Sequence, residues 1–352
     1  MKEFIEKLKE TQQLNKEEWI LLIENRTPKL AEYLFEQARI VREAVYGKEV
    51  YIRGLIEFTN YCKNDCYYCG IRKSNEKALR YRLTSEEIME CCAHGYKLGF
   101  RTFVLQGGED GYFSDEKLAG IVRAIKEAYP ECAITLSVGE RSYESYKRLF
   151  DAGAERYLLR HETADATHYG KLHPENLSLS NRKQCLMDLK DIGYQVGCGF
   201  MVGSPYQTAE HLAEDMLFMK ELNPQMVGIG PFISHKDTPF AKETSGSLEL
   251  TLYMLGFIRL MLPKVLLPAT TALGTIHPEG RELGMLAGAN VVMPNLSPAN
   301  VRDKYSLYDN KIHSDAEAAE GVKDLKRRMQ SIGYEVVTSR GDSLNMEVKN
   351  HV

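Results

Sequence analysis

Short apolar and β-branched segments alternate with amphipathic segments along most of the chain after residue 48. Strands expose alternate side chains to opposite faces, whereas helices repeat apolar residues three and four positions apart, so this alternation predicts βα units around a parallel sheet. The predicted strands cover residues 50–58, 102–106, 133–138, 156–162, 195–202, 226–232, 265–271 and 290–294. Helices are predicted near residues 84–98, 115–129, 142–151, 180–192, 208–222, 247–262 and 280–288, several of them after a capping residue such as Thr84, Ser114 or Thr208.

Eight strands and seven intervening helices predict an α/β fold, a (β/α)8 TIM-type barrel or a near-complete variant of one. Residues 1–48 carry helical patterns and predict an N-terminal helical extension that caps the barrel. The barrel is expected over residues 49–294, and residues 295–352 are expected to form a C-terminal extension that packs on it. No low-complexity linker or 20–50-residue repeat interrupts the chain, which favours one catalytic domain.

Composition and charge exclude several classes of function. The chain is 43% hydrophobic and 27% charged, and no apolar run approaches the roughly 18 residues of a membrane span, so a globular protein without a membrane partner is expected. The first residues alternate charges where a secretory leader would be apolar, which predicts a cytoplasmic protein. The formal net charge is −4 and no basic block is present, so no nucleic-acid partner is expected.

The segment TNYCKNDCYYCGIR places Cys62, Cys66 and Cys69 at the spacing C-x3-C-x2-C directly after the first predicted strand. Active-site groups of βα barrels gather at the C-terminal ends of strands, so the three thiols are expected at the barrel mouth. A structural zinc site would need a distant fourth ligand, and burial of three thiols is unexpected on a loop rich in Asn, Lys and Asp. An iron–sulfur cluster held by three thiolates would leave one iron open to a non-protein ligand, and we favour this interpretation. The other five cysteines are expected to be buried thiols.

This loop, with the aromatic Tyr68 before its last cysteine, resembles that of the radical S-adenosylmethionine (SAM) superfamily. In that family the open iron chelates the amino and carboxylate groups of SAM, and an electron from the cluster cleaves SAM to methionine and a 5′-deoxyadenosyl radical. The resemblance therefore implies one [4Fe–4S] cluster on the three cysteines, with SAM as the second cofactor.

Further segments resemble the HydE family of FeFe-hydrogenase maturases over about residues 40 to 310. The matching segments are IEFTNYCKNDCYYCGIR, RYRLTSEEI, VLQGGED, YLLRHETAD, MVGSPYQT, VGIGPFISHKDTPFA, PATTALGTI, GREL and GANVVMPN. Methylornithine synthase shares the loop and the barrel, and biotin synthase is a more remote relative.

The fourth predicted strand carries charged residues on one face, because Arg156, Arg160 and Glu162 share the same alternation. Charges inside a barrel are costly unless they are paired or bind a polar ligand, so the alternatives are a structural Arg/Glu network and a ligand site. The resemblance assigns Glu162 to the ribose hydroxyls of SAM, and Arg160 with Arg156 to anionic groups of the substrate. A carboxylate accepts hydroxyl donors, and a guanidinium binds a carboxylate through two donors.

The segment QGGED ends the second predicted strand, where paired glycines allow a ligand to approach the backbone. The resemblance places this segment at the methionyl amine of SAM and pairs Arg182 with the methionyl carboxylate; the alternatives are an ordinary turn and a surface arginine. The SAM-binding residues that the resemblance implies are Tyr68, Gln106, Gly107, Gly108, Glu109, Ser137, Glu162, Arg182 and Met201.

The segment PATTALG supplies two hydroxyls at the end of the seventh predicted strand, although β-branched residues are common in any strand. The resemblance adds them to the substrate end of the cavity. The substrate residues that it implies are Arg53, Thr135, Arg156, Arg160, Thr270, Thr271 and Met293.

The function implied by the resemblance is a radical SAM enzyme acting on a small sulfur-containing substrate, an organometallic iron–cysteine complex. Implied partners are an electron donor and sister maturases, a HydG-like donor and a HydF-like scaffold. The alternatives are an amino-acid mutase like methylornithine synthase and a non-catalytic iron–sulfur electron carrier. The charged strand face argues against a carrier, which has no need of a polar cavity.

The C-terminal region departs from part of that family. Some HydE proteins carry a second cysteine group there, but this chain has no cysteine after Cys198, and KIHSDAEAAEGVKDL offers only His313. One cluster is therefore expected. The segment SPANVRDKYSLY is expected to close over the barrel, with Tyr305 or Tyr308 facing the cavity.

Overall fold

The structure is a computed structural model that describes residues 1–312 and 321–345. Its helices are α1 Lys2–Thr11, α2 Lys16–Glu24, α3 Pro28–Tyr46, α4 Ser85–Lys97, α5 Asp115–Ala128, α6 Tyr143–Asp151, α7 Ala166–Leu172, α8 Leu179–Ile192, α9 Ala209–Leu222, α10 Leu248–Met261, α11 Thr271–Ile276, α12 Gly280–Leu286, α13 Ala299–Arg302 and α14 Val322–Ser331. Its strands are β1 Glu49–Ile52, β2 Gly54–Thr59, β3 Thr102–Gly107, β4 Ala133–Ser137, β5 Arg156–Leu158, β6 Gln195–Cys198, β7 Met201–Val202, β8 Met226–Val227, β9 Gly230–Pro231, β10 Val291–Val292 and β11 Glu335–Val337.

Several helices begin at capping residues, as the sequence predicts. Thr84, Ser114 and Thr208 each accept a hydrogen bond from the backbone N–H three residues further on, which satisfies a donor that has no partner within the helix. The three N-terminal helices pack on the later ones, α2 against α9 and α3 against α10. Trp19 of α2 is buried and meets the ring of Phe257 edge to face, with centroids 5.4 Å apart. In the part of the chain that the structure describes, no helix is both long and apolar enough to cross a bilayer.

A six-stranded parallel sheet in the order β2-β3-β4-β5-β6-β8 organises the molecule. Two smaller sheets accompany it, β10-β1-β11 and the pair β7-β9. Single parallel bridges continue the pairing, from Met226 to Leu266, from Pro268 to Val291 and from Leu55 to Asn295. The α/β fold with a parallel sheet is confirmed, and closure of an eight-stranded barrel stays a prediction.

Several predicted strands are shorter than expected. Residues 195–202 divide into β6 and β7 on either side of Gly199, where a Cβ would sit 2.0 Å from the Gly228 carbonyl oxygen. Residues 265–271 form single bridges instead of a strand. Residues 156–162 are in a strand only as far as Leu158, so the predicted alternation does not extend to Glu162.

The N-terminal ends of the strands are closed by the C-terminal extension. Arg156, at the start of β5, is fully buried and donates hydrogen bonds to Thr102 Oγ1 (3.1 Å), the Arg340 carbonyl (2.9 Å) and Asp342 Oδ1 (2.7 Å). The cysteine loop follows the other end of β2, so Arg156 lies at the end of the sheet away from the cysteines. The predicted contact of Arg156 with substrate stays a prediction, and its hydrogen bonds to Asp342 and to the Arg340 carbonyl favour the structural network that the sequence left as the alternative.

Replacement of Arg156 by alanine tests that structural role. Loss of one member of a buried ion pair typically costs 3–5 kcal/mol, and because the Asp342 side chain is 42% exposed we expect a smaller loss of about 2 kcal/mol in the free energy of unfolding. Urea unfolding measures it. The matched control is Lys147→Ala, which removes a surface pair with Asp151 and is expected to cost less than about 0.5 kcal/mol. Equal, small effects of both substitutions would contradict the structural role.

Candidate active site

Three free cysteines lie close together on the loop after β2. Cys62, Cys66 and Cys69 are all partly exposed, and none forms a disulfide. Burial raises the pKa of the Cys66 thiol well above its ordinary value, and the neighbouring Cys69 and Cys62 raise it further. Burial and Cys62 likewise raise the pKa of Cys69 to about 12. Three adjacent thiolates therefore need a positive centre, which a bound metal group supplies.

The loop is held by its own polar side chains. Asp65 accepts hydrogen bonds from Arg72 Nε (2.7 Å) and Nη2 (2.6 Å) and from the Ser74 N–H (3.0 Å). The Arg72 hydrogen bond is the main reason that the pKa of Asp65 falls to about 2. Arg80 donates to the carbonyls of Asn60, Ile71 and Arg72. These bonds fix the spacing of the cysteines.

The QGGED segment lies directly against the cysteine loop. Gly108 has no room for a side chain, because a Cβ there would sit 2.2 Å from the Tyr61 carbonyl oxygen and 2.7 Å from Cys62 Cβ. The Lys63 N–H donates to the Glu109 carbonyl (2.9 Å). On the neighbouring strands Gln106 is in register with Ser137. The structure thus brings these predicted SAM residues to the ends of β3 and β4, beside the thiols.

A chain of charges runs from the cysteine loop to α8. Lys63 Nζ lies 3.1 Å from Glu109 Oε2, and Glu109 Oε1 accepts a hydrogen bond from the Glu140 N–H (3.0 Å). Glu140 Oε1 lies 2.6 Å from Arg182 Nε. Burial lowers the pKa of Arg182, but Tyr169, Glu140 and Glu109 together raise it above its ordinary value. The guanidinium of Arg182 therefore stays protonated and positively charged. Sequence reasoning missed Glu140; the only available signal was its position just past the end of β4.

Tyr68 joins a second network that the sequence did not predict. Its hydroxyl lies 3.1 Å from His173 Nε2, and the His173 ring stacks on Tyr169 with centroids 3.9 Å apart. His173 Nδ1 faces the Tyr169 carbonyl (3.0 Å), so Nδ1 donates and Nε2 accepts from the Tyr68 hydroxyl. Burial raises the pKa of Tyr68, as do the nearby Glu162 and Cys66. Met201 packs in the same apolar cluster as Tyr68.

Arg160 and Glu162 lie just beyond the end of β5. Arg160 Nη2 is 3.0 Å from Glu162 Oε2, and both side chains are partly exposed. Glu162 adopts a left-handed backbone with φ of 66°, which a residue with a side chain rarely does. Its N–H donates to the Gly199 carbonyl (3.0 Å). Such unfavourable backbone geometry concentrates at functional sites.

The remaining predicted substrate residues form two sets, the three threonines and the pair Arg53 and Met293. The hydroxyl oxygens of Thr135 and Thr270 are buried and have no hydrogen-bond partner within residues 1–312 and 321–345. Thr271 begins α11. Arg53 and Met293 lie nearer the N-terminal ends of the strands, where Arg53 Nη1 is 2.9 Å from Met226 Sδ and Met293 packs on the same apolar cluster as Met226.

The segment expected to close over the site brings Tyr305 inward. Tyr305 is buried, and burial raises its pKa, as do Glu57, Tyr81 and Cys69. Lys311 Nζ forms a buried ion pair with Glu57 Oε1 at 2.5 Å. This pair, also missed by sequence reasoning, joins the C-terminal extension to β2. His313, the one candidate ligand in a segment where no accessory cluster is expected, lies outside the described residues.

The donor chemistry of the loop fits an iron–sulfur cluster. Three unpaired thiols are available on one loop, and in such a cluster each thiolate binds a separate iron. Across the described residues, no three His, Cys, Asp or Glu side chains form a group that could hold a single metal ion.

Comparisons with known proteins agree with this geometry. The sequence model of the Radical SAM superfamily matches residues 56–219. The [FeFe] hydrogenase maturase subunit HydE of Thermotoga maritima is 48% identical over 281 residues, which are 80% of each chain. The 3-methylornithine synthase of Methanosarcina barkeri is 31% identical over 304 residues, 86% of this chain and 84% of the relative.

Two solved structures share the fold over almost the whole chain. Methylornithine synthase (PylB) gives a TM-score of 0.84 at 29% identity over 95% of this chain and 97% of its own. The maturase HydG gives 0.81 at 20% identity over 96% of this chain and 75% of its own, a likeness of fold alone. The chain belongs to the radical SAM superfamily and is a radical SAM enzyme. Its homology to HydE confirms the resemblance seen in the sequence, and membership of the superfamily implies a [4Fe–4S] cluster and SAM.

The anchoring role of Asp65 is testable by Asp65→Ala. Without the carboxylate, Arg72 loses two hydrogen bonds and the loop gains freedom, so reconstituted protein should take up the same iron but lose its cluster several-fold faster in air. The decay of the cluster absorbance measures this. The control is Asp237→Ala, which removes a surface partner of Lys77 and should leave the decay unchanged. Identical decay of both variants would contradict an anchoring role.

Proposed function

We propose that this protein cleaves SAM reductively during maturation of the H-cluster of [FeFe] hydrogenase, the role of HydE. The observation that carries the proposal is the 48% identity to HydE over four-fifths of the chain, across a site whose three thiols are free and adjacent. The proposed substrate is small and contains sulfur, as an organometallic iron–cysteine complex does.

Cys62, Cys66 and Cys69 would hold one [4Fe–4S] cluster, which when bound supplies the electron that breaks a carbon–sulfur bond of SAM. The adjacent charges suit the polar ends of SAM. Arg182 keeps its positive charge and would bind the methionyl carboxylate, while the backbone carbonyls of Gly107 and Gly108 would accept the methionyl ammonium.

The remaining SAM residues would fix the nucleoside. Glu162 would accept the two ribose hydroxyls, with its carboxylate beside the Arg160 guanidinium. Glu109, Gln106 and Ser137 complete the polar wall at the ends of β3 and β4. Tyr68 and Met201 would supply its apolar side. Tyr305 and the ion pair between Lys311 and Glu57 would keep water from the site.

The substrate would meet polar groups whose bonding is incomplete. Buried hydroxyls are normally hydrogen-bonded, so the unpartnered oxygens of Thr135 and Thr270 favour contact with a polar ligand. Arg160 would bind an anionic group of the substrate, and Thr271 would add a hydroxyl to the same end of the cavity. Arg53 and Met293 would be reached only by a ligand that extends toward the N-terminal ends of the strands.

The proposal extends to architecture and partners. The bridges beyond the six-stranded sheet favour a (β/α)8 barrel over residues 49–294, between a helical cap of residues 1–48 and an extension of residues 295–352. A cytoplasmic protein with an electron donor, a HydG-like donor and a HydF-like scaffold would fit this role, without nucleic-acid or membrane partners.

A second candidate is an amino-acid mutase. The likeness to 3-methylornithine synthase in sequence and to PylB in structure favours it. Formation of 3-methylornithine by the purified protein would establish it, whereas restoration of hydrogenase in a strain lacking HydE would establish the maturase. A non-catalytic electron carrier would release no 5′-deoxyadenosine from SAM under dithionite.

The first test of the proposal is Cys66→Ser. Serine replaces a soft thiolate by a harder and much less acidic oxygen donor, so both the reduced-cluster resonance and 5′-deoxyadenosine release should be lost. Wild-type protein should bind the ~4 irons of one [4Fe–4S] cluster. The control Cys198→Ser, in a buried position of β6, should spare both signals. About twice that iron, retained in the Cys66 variant, would reveal a second site.

Arg160→Ala tests the substrate end of the site. Since Arg160 is assigned to substrate, uncoupled release of 5′-deoxyadenosine should remain near the wild-type rate while hydrogenase maturation falls by at least about tenfold, the scale of a lost hydrogen bond to a charged group. Circular dichroism checks the fold. Equal loss of both activities in a folded variant would show that Arg160 serves SAM, through its contact with Glu162.

A further inference from the structure

The turn that carries Glu162 is held from both sides by buried groups. Its left-handed backbone is unfavourable for a residue with a Cβ, so neighbouring interactions must stabilise it. The Glu162 N–H donates to the carbonyl of Gly199, the residue after β6, which ties the turn to the end of that strand. His161, just before Glu162, and Ala164, two residues after it, make the remaining contacts.

His161 is fully buried, with its ring against Phe218 at a centroid distance of 4.9 Å. Its Nδ1 accepts a hydrogen bond from the Gly199 N–H (3.3 Å), so Nδ1 carries no proton. The proton is therefore on Nε2, which donates to Asp215 Oδ1 (3.2 Å). Burial lowers the pKa of His161 to about 3, in keeping with a neutral ring.

Asp215, on α9, bonds to both sides of the turn. Its Oδ1 also accepts the Ala164 N–H at 2.6 Å, so one oxygen binds the ring before Glu162 and the backbone after it. Asp215 is fully buried, and its Oδ2 has no hydrogen-bond partner among the described residues. Burial raises its pKa well above the ordinary value. A carboxyl group buried in this way is costly, and stability alone would favour an apolar residue.

We infer that Asp215 is a positioning residue for Glu162, holding the left-handed turn through His161 and Ala164 so that the Glu162 carboxylate is ready to bind SAM. This inference rests on the proposed role of Glu162 in SAM binding. Asp215 itself stays inside the protein and touches neither cofactor nor substrate. Its removal should therefore free the turn without changing the cysteine loop.

The test compares Asp215→Ala with Asp215→Asn in reconstituted protein. Asparagine keeps an acceptor oxygen for the His161 and Ala164 donors, whereas alanine keeps none. We expect the Kd for SAM to rise by about tenfold or more in the alanine variant and to stay within about threefold of wild type in the asparagine variant, by calorimetry at equal iron content. Hydrogen exchange of the Ala164 amide, measured without SAM, should accelerate only in the alanine variant.

Further variants separate positioning from general destabilisation. Asn290→Ala removes a buried side chain that accepts from the Leu267 N–H (2.9 Å) near the opposite end of the strands, and should leave the SAM Kd unchanged despite lower stability. His161→Phe keeps the ring beside Phe218 and loses both nitrogens, so it should reproduce the alanine effect if Asp215→Ala does not fold. Equal weakening by Asn290→Ala, or none by Asp215→Ala and His161→Phe, would overturn the inference.

Glu162→Gln distinguishes the two levels of the proposal. If this substitution weakens SAM binding and Asp215→Ala does not, only the positioning role is wrong. If it leaves the affinity for SAM unchanged, the proposed role of Glu162 fails, and the positioning role fails with it.

Discussion

Three thiols on one short loop cannot all become thiolates without a positive centre among them. Burial and mutual repulsion raise the pKa values of the thiols. The cysteines do not separate to relieve that repulsion, because Asp65 and Arg80 hold the backbone of the loop through hydrogen bonds. The protein therefore holds three ligands in an arrangement that a metal group would stabilise. The Gly108 backbone and the ionic chain to Arg182 adjoin this loop.

The charged side chains at the two ends of the parallel sheet have different partners. At the N-terminal ends of the strands Arg156 donates to Asp342, to the Arg340 carbonyl and to Thr102, which joins the sheet to the C-terminal extension in a structural network. At the C-terminal ends the charges form partial pairs that keep one side accessible, such as Arg160 with Glu162. Ligand sites of α/β folds lie at the C-terminal ends of the strands, where the cysteine loop, Arg160 and Glu162 also lie.

The sequence predicted what local pattern controls. Alternating segments gave the parallel α/β fold, the capping residues gave helix starts, and the cysteine spacing pointed to the radical SAM superfamily. The sequence could not show that Arg156 lies at the N-terminal end of β5 and Arg160 beyond its C-terminal end, because strand periodicity shows which face of a sheet a residue occupies and not which end. Arg156 pairs with Asp342, 186 residues away in the sequence, and Glu57 pairs with Lys311, 254 residues away. No local sequence pattern predicts such pairs. The Glu162 turn is held by the Gly199 carbonyl and by contacts of Asp215 with the neighbouring His161 and Ala164, which are also non-local.

We propose that these three thiolates hold one [4Fe–4S] cluster with an iron left open for SAM. Electron paramagnetic resonance of the anaerobically reduced, reconstituted protein, recorded before and after addition of SAM, tests it most directly. Binding of the amino and carboxylate groups of SAM at the open iron should change the g-values of the reduced cluster, in proportion to the SAM bound. A spectrum that stays the same at saturating SAM would contradict an open, SAM-binding iron.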